Sequence, residues 1–306
     1  MSNSSQIRYL TQQQIDKLKW DACMAASANG LIYGYSFYLD CMAKQWDGLV
    51  LNDYEAIMPL TWNKKYGIFY LYQPFSCASL GVFGKSINAE ITESFLLNIP
   101  SKFRYADISL NYGNLFKLNS AGLAERKNYV LDLKESYRSI YNAFSENTRR
   151  NIKKATEKKC SAQKPALADV LDLAQQQLNQ LGKFSTDDFK RFSALYNYLE
   201  KEKAAVTYGI AAEDGKLLSC CIFFYWQNRA YYILVGNHPE SKTTGASHAL
   251  INAFIKDHAQ TNLILDFEGS DIGGLAMFYS SFGAAQENYP AFRYNKLPSV
   301  IKWIKK

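Results

Sequence analysis

The chain has 306 residues, 48% of them hydrophobic and 15% aromatic, and a net charge of +7. Length and composition exclude a disordered chain and suit about two domains of ordinary size. The moderate positive charge fits phosphorylated or anionic ligands without demanding nucleic acid.

Six cysteines stand at 23, 41, 77, 160, 220 and 221, without a C-x-x-C pair, beside three histidines. That pattern reads as free thiols and no metal site. Met1 to Ser5 carry no apolar leader, and no run reaches the roughly 18 apolar residues of a membrane span. A cytoplasmic protein with no membrane partner is expected.

Thr11 to Gln14 form a capping-box pattern, and Ile15, Leu18 and Ala22 share a face, predicting a helix over 12–26. Ser36 is placed to cap a second helix carrying Leu39, Met42 and Ala43. From Trp46 the period becomes that of strands: 48–51, 54–62 and 67–72, with turns at Asn52-Asp53 and Lys64 to Tyr66. A loop with Pro74, Gly81 and Gly84 spans 73–85, followed by a helix over 89–97 and a strand over 105–110.

Helices fill the middle of the chain. One is expected over 137–159, with Ile140, Tyr141, Phe144, Thr148, Ile152 and Ala155 on one face. Its other face carries Arg149, Arg150, Lys153, Lys154, Lys158 and Lys159, either a contact for phosphate or a transfer RNA stem, or a solvated surface. A second helix, 168–181, ends at Gly182, and Ser185 opens a third with Phe189, Phe192, Leu195, Tyr196 and Leu199 inward. Strands follow at 204–212, 216–225 and 229–236, the first two joined by Asp214-Gly215.

The order of the first half thus recurs about 160 residues later, as a duplicated domain-sized unit would. The fold class is α+β, with two tandem domains divided at 1–136 and 137–306.

The stretch from Arg229 to Gly283 reads strand, loop, helix, strand, helix. Pro239 and Gly245 punctuate the loop. Ala246, Ala249, Leu250, Ala253 and Phe254 then mark a helix face, with His248, Asn252, Lys256 and Gln260 opposite. A Gly/Ser/Thr loop opening into a helix offers free N–H groups and the positive end of a dipole to an anion. The plainer alternative is a loop capped by Thr244 or Ser247 that binds nothing.

Lys242-Thr-Thr-Gly-Ala-Ser247 resembles the pyrophosphate loop of the GNAT superfamily, the acyl-CoA N-acyltransferase fold. Gly245 matches the motif's glycine, while Lys242 and Ser247 depart from its usual residues. Tyr279-Ser-Ser-Phe-Gly283 is similar to the segment whose tyrosine serves that family as general acid toward a departing thiolate. The doubled unit, the basic run Ser145 to Lys154 and Asp266 to Ser270 resemble the tandem GNAT-like Fem peptidyltransferases and related acyltransferases. No helix sustains the coiled-coil arm that Fem enzymes often carry.

The resemblance implies acyl transfer from an acyl-CoA such as acetyl-CoA to an amine. Backbone amides of Thr243, Thr244, Gly245, Ala246 and Ser247 would hold the donor's diphosphate, aided by Lys242. The pantetheine arm would lie along Ile233, Leu234, Val235 and Gly236. Glu268, just past a strand end, reads as a base for the amine or as a salt-bridged carboxylate. Tyr279 reads as the acid or as a packed tyrosine, and His238 as a second base or a turn residue before Pro239. The loop at 73–85 lacks a basic residue before its glycines, the pattern of a degenerate site. Two other functions fit the same fold: aminoacyl transfer from a charged transfer RNA to a cell-wall precursor, and a silent binding module.

Overall fold

The computed structural model describes residues 6–118, 122–179, 185–269 and 273–298. The chain divides into two compact units, Met1–Arg126 with Asn288–Lys306, and Lys127–Glu287. The expected contiguous halves therefore give way to an interrupted first unit: the chain returns to it after Glu287.

Unit 1 runs β1 (Ile7–Thr11), α1 (Lys17–Ala26), α2 (Ser36–Met42), β2 (Gln45–Leu51), β3 (Ala56–Lys65), β4 (Ile68–Tyr72), β5 (Phe83–Gly84), α3 (Ala89–Leu97) and β6 (Phe103–Ser109). β1 to β4 form an antiparallel meander and β4 lies parallel to β6. Residues 291–295 return antiparallel against β6, and β5 pairs with the start of β3.

The expected helix over 12–26 is split. The capping box of Thr11 and Gln14 closes only a single 3-10 turn. Asp16 then caps α1 by accepting from the amides of Leu18 and Lys19. Ser36 is the first residue of α2 rather than its cap, because the Asp21 carboxylate takes its N–H and hydroxyl at 2.8 and 2.6 Å.

Unit 2 begins within β7 (Leu123–Asp132). It continues α4 (Tyr137–Asn142), α5 (Glu146–Glu157), β8 (Ser161–Gln163), α6 (Leu167–Asn179), α7 (Thr186–Lys201), β9 (Ala205–Ala211), β10 (Leu217–Trp226) and β11 (Arg229–Asn237). It ends with α8 (Ser241–Thr244), α9 (Ala246–His258), β12 (Ile264–Asp266), α10 (Gly273–Ser280) and the start of β13 (Ala285–Asn295).

The single helix expected over 137–159 is two helices. Ser145 interrupts it, its hydroxyl capping α5 through the Thr148 amide at 3.2 Å. Gly182, expected to stop α6, lies outside the described residues.

Unit 2 repeats the topology of unit 1: β8-β9-β10-β11 antiparallel, β11 parallel to β12, and β7 antiparallel to β12. β10, β11 and β12 begin at 217, 229 and 264, against 56, 68 and 103 for β3, β4 and β6, a constant offset of 161 residues.

One face of the unit 2 sheet packs on α9 and α10, where Phe223 stacks on Phe254 and Tyr232 meets Phe267 and Tyr279. The other carries α6 and α7, where Phe192 stacks on Phe224. Side chains alternate across a strand, so buried Cys220 and Cys221 face opposite helix layers. All six cysteines are free.

Candidate functional site

β11 and β12 pair only from Arg229↔Ile264 to Tyr231↔Asp266. Beyond Tyr231, β11 runs six more residues to Asn237 against β10, while the other chain turns away. Glu268 (φ 63°) and Gly269 (φ 83°) make that turn, both in the left-handed region. The Glu268 amide donates to Asp266 Oδ1 at 2.8 Å.

One residue past the divergence, the pairing of β10 with β11 steps from Phe223↔Tyr232 to Ile222↔Leu234. Ile233 is the extra residue of a β-bulge, which bends the strand and leaves a backbone group unpaired. Nothing in Tyr231 to Val235 signalled this bulge, because those aromatic and aliphatic residues suit a regular strand.

A buried ion-pair cluster anchors the divergence. Arg229 Nη1 donates to Asp266 Oδ2 at 2.6 Å and to Glu287 Oε2 at 3.0 Å, and Nη2 to Glu287 Oε1 at 3.1 Å. Asn128 Nδ2 adds a bond to Asp266 Oδ1 at 2.9 Å. Sequence reasoning took Arg229 as an ordinary strand start, placed Asp266 in a strand and in the segment resembling the Fem enzymes without a partner, and missed Glu287 altogether. Only the unusual placing of charge at the ends of apolar strands could have pointed to them.

Glu268 and Tyr279 are brought together. Tyr279 is buried and stacks on Phe267 at 4.7 Å; burial first, and then the charge of Glu268, push its hydroxyl pKa well above the usual tyrosine range. The phenol therefore keeps its proton at neutral pH.

His238 stands apart. It lies just past the end of β11, seven residues from Tyr231, roughly 23 Å at the rise of a strand. It lines a cleft of about 650 Å³ with Asp169, Asp172 and Gln176 of α6, whereas Tyr279 belongs to the α10 layer. Its Nδ1 accepts from the Glu240 amide at 3.3 Å, which suits the turn reading made from its place before Pro239.

The loop is more structured than its punctuation suggested. Residues 241–244 form the single turn α8. The Thr244 amide donates to Glu240 O and the Gly245 amide to Ser241 O, both at 3.0 Å. Of the amides expected to meet a diphosphate, that of Ser247 remains at the mouth of α9, whose N-cap supplies no side-chain bond, whereas Ala246 is fully buried. Glu240, a carboxylate unwelcome beside phosphates, is drawn off by Lys216 at 2.5 Å. Lys242 is exposed. The Ser247 hydroxyl reaches Asn237 Oδ1 at 2.7 Å, as does that of Ser219, tying the loop to β10 and β11.

Gly245 of the loop and Gly236 of β11 have close neighbours within the unit. Gly245 is left-handed (φ 80°), and a Cβ there would lie 2.2 Å from the Asn151 carbonyl oxygen of α5. A Cβ at Gly236 would lie 2.7 Å from the Ala174 nitrogen of α6. A bulky residue at Gly245 would thus strike α5 whether or not a ligand binds.

The pantetheine residues follow the same geometry. Leu234 is buried, Ile233 forms the bulge, and Val235 packs on the α9 side. The edge of β11 over these residues is what the departing β12 leaves open. The Asn237 amide, on that edge, is held by Gln177 Oε1 at 2.7 Å.

Residues 142–274 match the family model of the acetyltransferase (GNAT) domain. They form a GNAT domain. It lies inside unit 2 and contains the loop, the bulge and the divergence.

No curated protein sequence matches the chain. Among solved structures, a crystal structure of FemX superposes with a TM-score of 0.61 at 12% identity, covering 98% of this chain and 100% of that one. A conserved protein of unknown function from Bacteroides thetaiotaomicron gives 0.55 at 11% identity, with 94% and 100% covered. L-PGS from Bacillus licheniformis gives 0.52 at 12%, with 94% of each chain covered. At such identities the likeness is one of fold, and it extends over both units. Among the described residues no helix is long and apolar enough to cross a membrane, and no cluster of His, Cys, Asp or Glu is arranged for a metal.

Proposed function

We propose that the GNAT domain transfers an acyl group from an acyl-CoA, such as acetyl-CoA, to an amine. The observation that carries this reading is the parting of β11 from β12 at Tyr231 and Asp266, with the Ile233 bulge beside it. A strand edge opened in this way can pair with the amides of a pantetheine arm as an added strand would. The amide of Ser247 and the Lys242 ammonium take the diphosphate at the mouth of α9.

The amine nitrogen attacks the thioester carbonyl, the C–S bond breaks and an amide forms. Glu268 takes the proton from the amine, directly or through water. An N–H left unpaired at the bulge would polarise the carbonyl oxygen. The protonated Tyr279 hydroxyl donates to the leaving sulfur.

A second reading has an observation of its own. α5 presents Arg149, Arg150, Lys153 and Lys154, and its backbone touches Gly245. Cations beside the donor loop suit a larger polyanion, so the donor would be an aminoacyl transfer RNA.

Thermal unfolding across a panel of acyl-CoAs separates the two, because a ligand bound only by the folded form raises the melting point. Acyl-CoA transfer predicts stabilisation by acetyl-CoA and no salt-sensitive binding of transfer RNA. The second reading predicts the reverse. A protein responding to neither is a binding module of this fold.

A further inference from the structure

The three histidines of the chain differ in their partners. His258 is held at both nitrogens, Nδ1 by the Phe254 carbonyl at 2.9 Å and Nε2 by the Tyr225 hydroxyl at 3.0 Å. His238 Nδ1 accepts from an amide of its own turn. His248 makes no side-chain hydrogen bond among the described residues and is only partly buried.

Its position is specific. His248 is the third residue of α9, directly after Ser247, whose amide stands at the helix mouth. Helical Cα–Cβ bonds tilt toward the N-terminus, so its ring leans back toward the loop. Phe278 of α10 meets it edge-on at 4.8 Å, and Phe282 lies at 5.9 Å. The ring is thereby held in the groove between α9 and α10, against Phe278, the chain neighbour of Tyr279. Burial lowers its pKa to about 4, so at neutral pH it is an uncharged imidazole with one N–H to donate.

We propose that His248 is a donor-binding residue, its imidazole N–H holding a diphosphate oxygen of the acyl donor beside the amide of Ser247. This rests on the acyl-CoA reading of the GNAT domain. A neutral donor in this place adds a directed hydrogen bond where the helix end supplies only partial charge. It also compensates for a loop whose Thr244 and Gly245 amides are spent within the chain.

The test is calorimetric titration of the full chain with coenzyme A, comparing wild type with His248→Phe and His248→Gln. Phe keeps the ring packing against Phe278 and removes the N–H; Gln keeps an N–H and removes the ring. Binding by His248 predicts a tenfold or greater loss of affinity for His248→Phe with an unchanged melting point, and substantial recovery for His248→Gln. A packing role predicts the opposite order, with His248→Phe as tight as wild type and His248→Gln impaired. That result overturns the inference and leaves the acyl-CoA reading standing. Failure of the wild type itself to bind coenzyme A overturns both.

Discussion

At the scale of single residues, the candidate chemistry reduces to a carboxylate and a phenol in one place. Glu268 is held by the turn that ends β12, and Tyr279 by its stack on Phe267. Replacing Glu268 with Gln is expected to lower kcat about a hundredfold, the usual worth of a general base, and to flatten the acid limb of the rate profile. Tyr279→Phe should lower kcat without changing the KM for the amine; steady-state kinetics across pH reads both.

His248 gives a second test, of stability. Its folded pKa, about 4, lies below the ordinary 6.5. Below pH 6.5 the unfolded chain takes up a proton that the folded chain refuses until about pH 4. Stability is therefore fullest above pH 6.5 and falls through this window, by roughly 2 kcal/mol after allowing for the ring's contact with solvent. Urea unfolding of wild type and His248→Phe between pH 4 and 7 should show that part of the slope vanish in the variant.

At the scale of elements, periodicity made most of unit 2 legible, and backbone events escaped it. The helix opening at Ala246 and the helix start at Ser185 were readable because each leaves a residue pattern. The break between α4 and α5 was not, since the apolar spacing of Ile140, Phe144 and Thr148 runs straight through it. Strands β7 and β13 were missed because charges and Asn residues interrupt their alternation. The bulge at Ile233 and the tying of Gly245 to α5 depend on partners distant in sequence. Candidate residues were nameable from the loop motif; which of them meet depends on the sheet, which brings Glu268 to Tyr279 and leaves His238 on the α6 side.

The ion-pair cluster at Arg229 is the element-scale hinge of the site. Arg229→Leu leaves Asp266 and Glu287 without their buried cation, and the expected cost is about 3–5 kcal/mol. Chemical denaturation should show this loss, with that of Glu287→Gln smaller because Asp266 keeps its partner.

At the scale of the whole molecule, two units of the same topology have unequal loops. In unit 1 the segment after β4 is closed by its own side chains. Asn114 Oδ1 takes the Val82 amide at 2.8 Å, Asn111 Nδ2 the Leu80 carbonyl at 2.9 Å, and Asn29 Nδ2 the Val82 carbonyl at 2.9 Å. All three asparagines are buried. A loop so satisfied has few groups left for a phosphate, which gives physical content to the missing basic residue before Gly81 and Gly84. One equivalent of coenzyme A per chain is therefore expected by calorimetry. Asn114→Leu should lower stability by about 1–3 kcal/mol, the cost of stranding a buried amide, without changing that stoichiometry.

The return of residues 291–295 to β6 has a consequence for biosynthesis. The ribosome makes the body of unit 1 first, yet the strand that covers the β6 edge emerges only after all of Lys127–Glu287 has been made. The later-made unit can thus close before the earlier one. Until then the nascent N-terminal portion carries a bare sheet margin, an invitation to wrong pairing.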